Sequence, residues 1–313
     1  MDRAEWLTAR RKCIGGSDIA AIVGCSKYTS PHQVWLQKMD APGAEVEENE
    51  FMRMGTFLEP RIAELYEERT GATLTKGEFI TGDPTWIGGT PDYLDERTGT
   101  VVEIKNVGQY MADEWGPDGT DEAPQGFVVQ VMWYMGLLLR GGYQQAALAP
   151  LIGGNDFRIY PVAFDAEVYG WLLEQAARFW TDYVVAEREP PLTGMDVDTD
   201  FLKKRYRHST EATVTASLEI EEACAHLRLA RASAKEADVR QTELENQIKQ
   251  FMGDASVLES GLGRFTWRQN KDSRKTAWQD VAMKAGAGPE LIEAHTTVAP
   301  GARVFRTPFS KGE

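Results

Sequence analysis

At 313 residues, with 42% hydrophobic and 26% charged side chains, the chain has an ordinary globular composition. That excludes wholesale disorder and allows two domains, or one large domain with an appendage. The net charge of −14 weighs against a surface that binds nucleic acid all round, because phosphate contacts come from Lys and Arg.

In chain order, Ser17 follows a Gly15-Gly16 turn and reads as the N-cap of a helix running to Val23. Ser30-Pro31 opens a second helix, with Pro at its first position. The acidic run Glu45–Glu50 reads as a solvated loop. A helix is then expected to begin at Glu59-Pro60, carry Ile62, Leu65 and Tyr66 on one face, and stop at Thr70-Gly71. Strands are expected over 74–80, 86–88 and 100–107, punctuated by Gly82-Asp83-Pro84 and Arg97-Thr98-Gly99. Residues 124–139 read as a largely buried helix that Arg140-Gly141-Gly142 breaks. Strands over 144–151 and 158–163 flank a Gly153-Gly154-Asn155-Asp156 turn, and a further helix covers 168–185. Pro190-Pro191 and the acidic run Asp196–Asp200 mark a boundary.

Beyond that boundary, Ile220, Ala223, Leu227, Ala230, Ala234, Ala237, Gln241, Leu244, Ile248 and Phe251 follow alternating steps of three and four. The pattern predicts a long helix with a thin seam, packed on a partner helix or on the main body. A hairpin over 257–267 and a basic tail ending in Arg303 and Arg306 complete the chain. The expected organisation is a core over 1–200 and an extension over 201–313.

No run approaches the ~18 apolar residues of a membrane span. The opening Met1-Asp2-Arg3 lacks the head and apolar stretch of a signal peptide, so a cytoplasmic protein without a membrane partner is expected. Cys13, Cys25 and Cys224 are scattered, and His32, His208, His226 and His295 show no ligand spacing. Any metal must therefore be held mainly by carboxylates, which points to a hard cation such as Mg²⁺ or Mn²⁺. Basic residues cluster at Arg10-Arg11-Lys12, at Lys203–Arg207 and across Arg264, Arg268, Lys271, Arg274 and Lys275. A basic channel in an acidic body keeps nucleic acid within reach.

One segment carries chemistry. In Val101-Val102-Glu103-Ile104-Lys105 the side chains alternate, so Val102 and Ile104 take one face while Glu103 and Lys105 share the other. The turn over 95–99 can fold Asp92 back beside them as part of a neighbouring strand. Asp92 and Glu103 could then share a cation, with the Ile104 carbonyl as a further oxygen ligand. Lys105 would hold the attacking water and supply positive charge, an arrangement suited to phosphodiester hydrolysis. Alone, the pattern also fits a surface hairpin with solvated charges. Three features add to it. Glu59 could supply a third carboxylate, although an acid at a helix start is also explained by the helix dipole. Gln130 and Tyr134, four apart, share one helix face. Arg10 and Ser17 flank a glycine turn able to hold a phosphate.

In this order the segments RRKCIGGSDIAAIVG, MGTFLEPRIAELYEERTG, GGTPDYL, VVEIK and QVMWY resemble the YqaJ-type viral recombinases, relatives of the phage lambda exonuclease within the RecB-like PD-(D/E)xK nucleases. The likeness spans about residues 6–140, with the helix to about 190 completing the domain. It implies an α/β, restriction-endonuclease-like core, with a mixed sheet flanked by helices, that degrades linear double-stranded DNA 5′ to 3′. By position it makes Asp92 and Glu103 metal ligands with Glu59 and the Ile104 carbonyl assisting, for two Mg²⁺ (or Mn²⁺) ions. It makes Lys105 the catalytic lysine and Gln130 the residue orienting nucleophile or substrate. Tyr134 completes a Gln-x-x-x-Tyr signature, and Arg10 and Ser17 receive the DNA 5′-phosphate. The resemblance further implies a homo-oligomeric ring of three or four subunits and a single-strand annealing protein as partner. An endonuclease or nickase on the same core, and a DNA-binding module with idle carboxylates, are the alternatives.

Overall fold

The strand Thr100–Val107 lies in the interior of the largest sheet, with its apolar residues Val101, Val102, Ile104 and Val107 buried. In the computed structural model, which describes residues 3–44, 49–269 and 278–295, the first compact unit runs to Tyr206 and the second starts at Arg207. The first unit opens with α1 (Arg3–Arg11), α2 (Gly16–Ile22), α3 (Pro31–Met39) and α4 (Glu50–Thr70). Short strands β1 (Thr75–Lys76), β2 (Ile80–Thr81), β3 (Gly88–Gly89) and β4 (Tyr93–Asp95) lead into β5 (Thr100–Val107). Then come α5 (Gln125–Leu138), β6 (Gln145–Ile152), β7 (Asp156–Phe157), β8 (Tyr160–Ala163), α6 (Ala166–Phe179) and α7 (Asp196–Arg205). One π-helical stretch, Trp180–Val185, continues α6.

The central sheet is mixed, in the order β1-β4-β5-β6-β7, with β8 also paired to β6. Strands β5 and β6 run parallel in continuous register from Thr100 opposite Gln145 to Val107 opposite Ile152. Their connection is the helix α5, as a parallel pair requires. The remaining pairs of this sheet are antiparallel, including β4 with β5, where Tyr93 faces Val102. Both faces of the sheet are covered. Val102, Ile104, Ala147 and Ala149 pack against Ile62, Ala63 and Tyr66 of α4. On the opposite face Val101, Val107, Ala146, Leu148 and Ile152 join Val131, Trp133 and Met135 of α5 in the larger core. The alternation expected along β5 therefore holds, but the face carrying Glu103 is buried too, and Glu103 is only 2% exposed.

Several local expectations change. Ser17 is not the N-cap of α2. Gly15 holds that position, and the Asp18 carboxylate reaches back to accept from the Gly15 N–H at 2.9 Å. The helix expected from Glu59 starts nine residues earlier, at Glu50, capped by Asn49, whose side chain accepts from Met52 N. Glu59 thus lies inside a helix, and Pro60 within it is tolerated. Residues 45–48 lie outside the described part. The acidic run near 196 forms α7, and its Asp198 is buried, accepting from Ser30 Oγ at 2.5 Å and from Thr193 N at 2.6 Å.

The second unit contains α8 (Leu218–Met252), a single 35-residue helix, the hairpin β9 (Val257–Ser260) with β10 (Gly263–Thr266), and short helices α9 (Trp278–Lys284) and α10 (Pro289–Ala294). Ile220, Leu244 and Phe251 of the expected seam are exposed. Lys271, Arg274, Lys275, Arg303 and Arg306 lie outside the described residues.

Candidate active site

Asp92 stands at the entry to β4, one residue before its first rung with β5. Its Oδ2 accepts from the Ile104 N–H at 2.9 Å, so the side chain continues the pairing that the backbone leaves off. In an extended strand the N–H and C=O of one residue project to the same edge, which turns the Ile104 carbonyl towards Asp92 as well. Glu103, from the α5-facing side of β5, places Oε1 2.7 Å from Lys105 Nζ and 2.6 Å from Gln130 Nε2. Lys105 Nζ also donates to Gln130 Oε1 at 3.2 Å and sits 4.8 Å from the centre of the Phe127 ring. Gln130 Nε2 lies 3.3 Å from the Tyr134 hydroxyl, one helical turn further along α5.

This cluster is short of positive charge. Burial, then the neighbouring Glu103, push the Asp92 carboxyl up to about 8. Burial by itself would lower Lys105, yet the Glu103 and Asp92 charges outweigh it and hold the ammonium above its ordinary value. Burial and the Glu103 charge likewise raise Tyr134, which stays a neutral phenol. Glu103 Oε2 is buried without a hydrogen-bond partner, a state that costs about 1–3 kcal/mol, more for a charged group. A hard cation at that oxygen, shared with Asp92, cures both deficits at once. The donor set is all oxygen, which suits Mg²⁺ or Mn²⁺, so the residues present fit such an ion.

Glu59 does not join them directly. Its carboxylate is paired with Lys76, although its charge contributes to raising Asp92. Among the described residues no three His, Cys, Asp or Glu side chains converge as a ready-made metal cage. Arg10 and Ser17 do meet, with Arg10 Nη2 donating to Ser17 Oγ at 3.1 Å and the guanidinium 5.2 Å from the Trp6 ring. The two clusters adjoin at Gly16, where an added Cβ would lie 2.8 Å from Tyr134 and 2.9 Å from Gln130. Only glycine fits there. A cavity of about 1150 Å³ opens beside Lys105, with Tyr28, Phe51, Tyr110, Phe127 and Lys204 among its lining residues.

Two residues that matter here escaped sequence reasoning. Asp18 and Lys38 form a buried ion pair at 2.5 Å. The available signal was faint: Asp18 sits in the first turn of a short helix, and Lys38 near a helix end resembles an ordinary dipole lysine.

The model of the YqaJ-like viral recombinase domain matches residues 5–138. The uncharacterized protein YqaJ of Bacillus subtilis (strain 168) is 31% identical over 271 residues, covering 86% of this chain and 84% of the relative. Among solved structures, an alkaline exonuclease from Laribacter hongkongensis superposes with a TM-score of 0.47 at 18% identity, covering 65% of this chain and 98% of that one. A phage-related exonuclease from Haemophilus somnus 129PT gives 0.45 at 15% identity, covering 58% and 99%. On the identity and coverage of the Bacillus relative, this chain belongs to the YqaJ-like viral recombinase family.

Proposed function

We propose that the chain is a divalent-metal-dependent deoxyribonuclease of phage recombination that degrades linear double-stranded DNA from its 5′ ends, leaving 3′ single strands for an annealing protein. The observation that carries this reading is the buried, unpartnered Glu103 Oε2 beside Asp92, with Lys105 and Gln130 gathered on the other oxygen. Membership of a viral recombinase family supports DNA as the substrate.

Asp92, Glu103 and the Ile104 carbonyl would hold two Mg²⁺ or Mn²⁺ ions, which would neutralise the scissile phosphate and acidify water. Lys105 remains protonated and donates towards the charge that develops on the phosphate in the transition state. Gln130 fixes both Lys105 and Glu103 through one amide, and Tyr134 anchors that amide from the next turn. Glu59 would add a third carboxylate on releasing Lys76. Arg10 and Ser17 offer N–H and O–H donors to a 5′-terminal phosphate, which gives the digestion its direction. In the same proposal, copies form a ring of three or four, and residues beyond 200 serve assembly, DNA guidance or the annealing partner.

The test is end-labelled linear duplex with Mg²⁺ or with EDTA, run beside a closed circular duplex. The expected result is metal-dependent loss of the 5′ label from linear DNA, an intact circle, and no digestion in EDTA. Equal rates on circle and linear DNA identify an endonuclease on the same core, and digestion in EDTA overturns the metal centre.

Gly16→Ala tests how closely the two clusters are joined. The new methyl must displace Tyr134 or Gln130, and overpacking of this kind costs about 1–3 kcal/mol. Misplacing Gln130 by a fraction of an ångström is expected to slow hydrolysis by up to about 10²-fold. Steady-state rates with a melting curve check it, and an unchanged rate detaches Gln130 from the chemistry.

A further inference from the structure

Asp18 and Lys38 are charged, buried and not used by the steps above. Their side chains are 2% and 1% exposed, and Lys38 Nζ stands 2.5 Å from Asp18 Oδ2 and 2.9 Å from the Arg10 carbonyl oxygen. Asp18 Oδ1 lies 3.5 Å from Arg10 Nη2. Burial by itself would raise the Asp18 carboxyl, but Lys38 and then Arg10 hold it below its ordinary value, so it is ionised. Lys38 meets no solvent and therefore no DNA. Arg10, by contrast, has a third of its side chain exposed. One face of its guanidinium lies against Trp6, whose indole N–H is tied to Thr90 Oγ1 at 3.0 Å.

Counting charges shows what Lys38 does. Asp18 and Arg10 alone would neutralise each other, and the guanidinium would have no charge left for an anion. With Lys38 added, the three groups carry one net positive charge, located at the surface on Arg10. Buried ion pairs are weak devices for stability, so a role in setting that charge is the better account of this one.

We propose that Lys38 is a positioning residue that neutralises Asp18 inside the protein and so leaves Arg10 fixed in place and free to bind a phosphate anion. The inference rests on the reading that Arg10 and Ser17 receive the 5′-terminal phosphate of the DNA.

The measurement is the ratio of digestion rates on 5′-phosphorylated and 5′-hydroxyl linear duplex, with a melting curve for each variant. In Lys38→Met the freed Asp18 takes Arg10, and the ratio is expected to fall about tenfold or more, the worth of a charge-assisted hydrogen bond. Lys38→Met combined with Asp18→Asn removes the competing carboxylate, and the ratio should return towards that of the wild type even if stability does not. Lys38→Arg should keep it. A structural role alone would move the melting curves and not the ratio. If Lys38→Met does not fold, the double variant and Asp18→Asn decide: both must retain the preference. Retention of the full preference by a folded Lys38→Met, or its loss in the double variant, overturns the inference while leaving the nuclease reading intact. A wild type that does not distinguish the two ends, or an Arg10→Ala variant that still does, removes the phosphate site itself.

Discussion

Asp92→Asn is expected to abolish metal-dependent DNA hydrolysis and, in the same protein, to raise the stability of the metal-free fold. On the proposed function, the first effect follows from losing one of the carboxylate ligands to ions that supply several kcal/mol of transition-state stabilisation, a rate loss of about 10³-fold or more. The second follows from electrostatics. Asp92 is raised to about 8 by burial and by Glu103, against an ordinary value of 3.8. The folded protein then binds more protons at this residue than the unfolded chain between pH 4 and 8. Stability from this group therefore falls as pH rises through that window. Above it, the folded state carries two neighbouring buried carboxylates, with the Lys105 ammonium bonded to Glu103. Asn at 92 keeps an oxygen for the Ile104 N–H and brings no charge. In EDTA its melting temperature should exceed that of the wild type at pH 8–9, and the two should converge near pH 4. Added Mg²⁺ should stabilise the wild type and leave the variant unchanged. A variant that digests DNA normally, or that melts lower than the wild type at pH 9 without metal, removes Asp92 from the site.

The arrangement of this candidate site was legible where it lies within short sequence windows. Val101–Lys105 alternates along one strand, Asp92 reaches β5 across one tight turn, and Gln130 and Tyr134 are one helical turn apart. Such separations are set by local geometry, so the sequence alone constrains them. Part of what was misread or missed depends on partners far along the chain. The acidic run near 196 was read only as a boundary, yet within it Asp198 is buried, and Ser30, 168 residues away, donates to it. Glu59 looked like the first turn of a helix because Pro60 follows it. The preceding turns carry exposed Phe51 and Phe57, so no amphipathic pattern announces them. Ser17 looked like a cap because glycines precede it, whereas Asp18 performs the capping and Ser17 meets Arg10 instead. The Asp18–Lys38 pair joins α2 to α3 over 20 residues, and no local pattern pairs two charges at that distance.

Lys105→Met should produce the opposite signature in stability and a comparable one in activity. Lys105 pairs with Glu103, its ammonium is bonded to Glu103 Oε1 and Gln130 Oε1, and its charge also acts on Asp92. Glu103 is buried while Lys105 reaches the cavity, so removing the ammonium costs up to about 3–5 kcal/mol, because the buried charge is left uncompensated. The metal-free variant should melt well below the wild type, with the deficit widening as Asp92 ionises. A divalent ion then has two unopposed acids to bind, so the stabilisation on adding Mg²⁺ should be larger than in the wild type. Methionine fills the space against Phe127, 4.8 Å from the ammonium, so the packing changes little. Hydrolysis should nonetheless fall about 10²–10³-fold, since a positioned donor to the transition state is missing even with the ions in place. The pair of variants therefore separates the roles: Asp92→Asn erases the response to metal, while Lys105→Met enlarges it, and both lose turnover. A Lys105→Met protein that is metal-stabilised and digests DNA at the wild-type rate would make Lys105 a counter-ion of the fold, and the donor to the phosphate would have to be sought among other residues lining the same cavity.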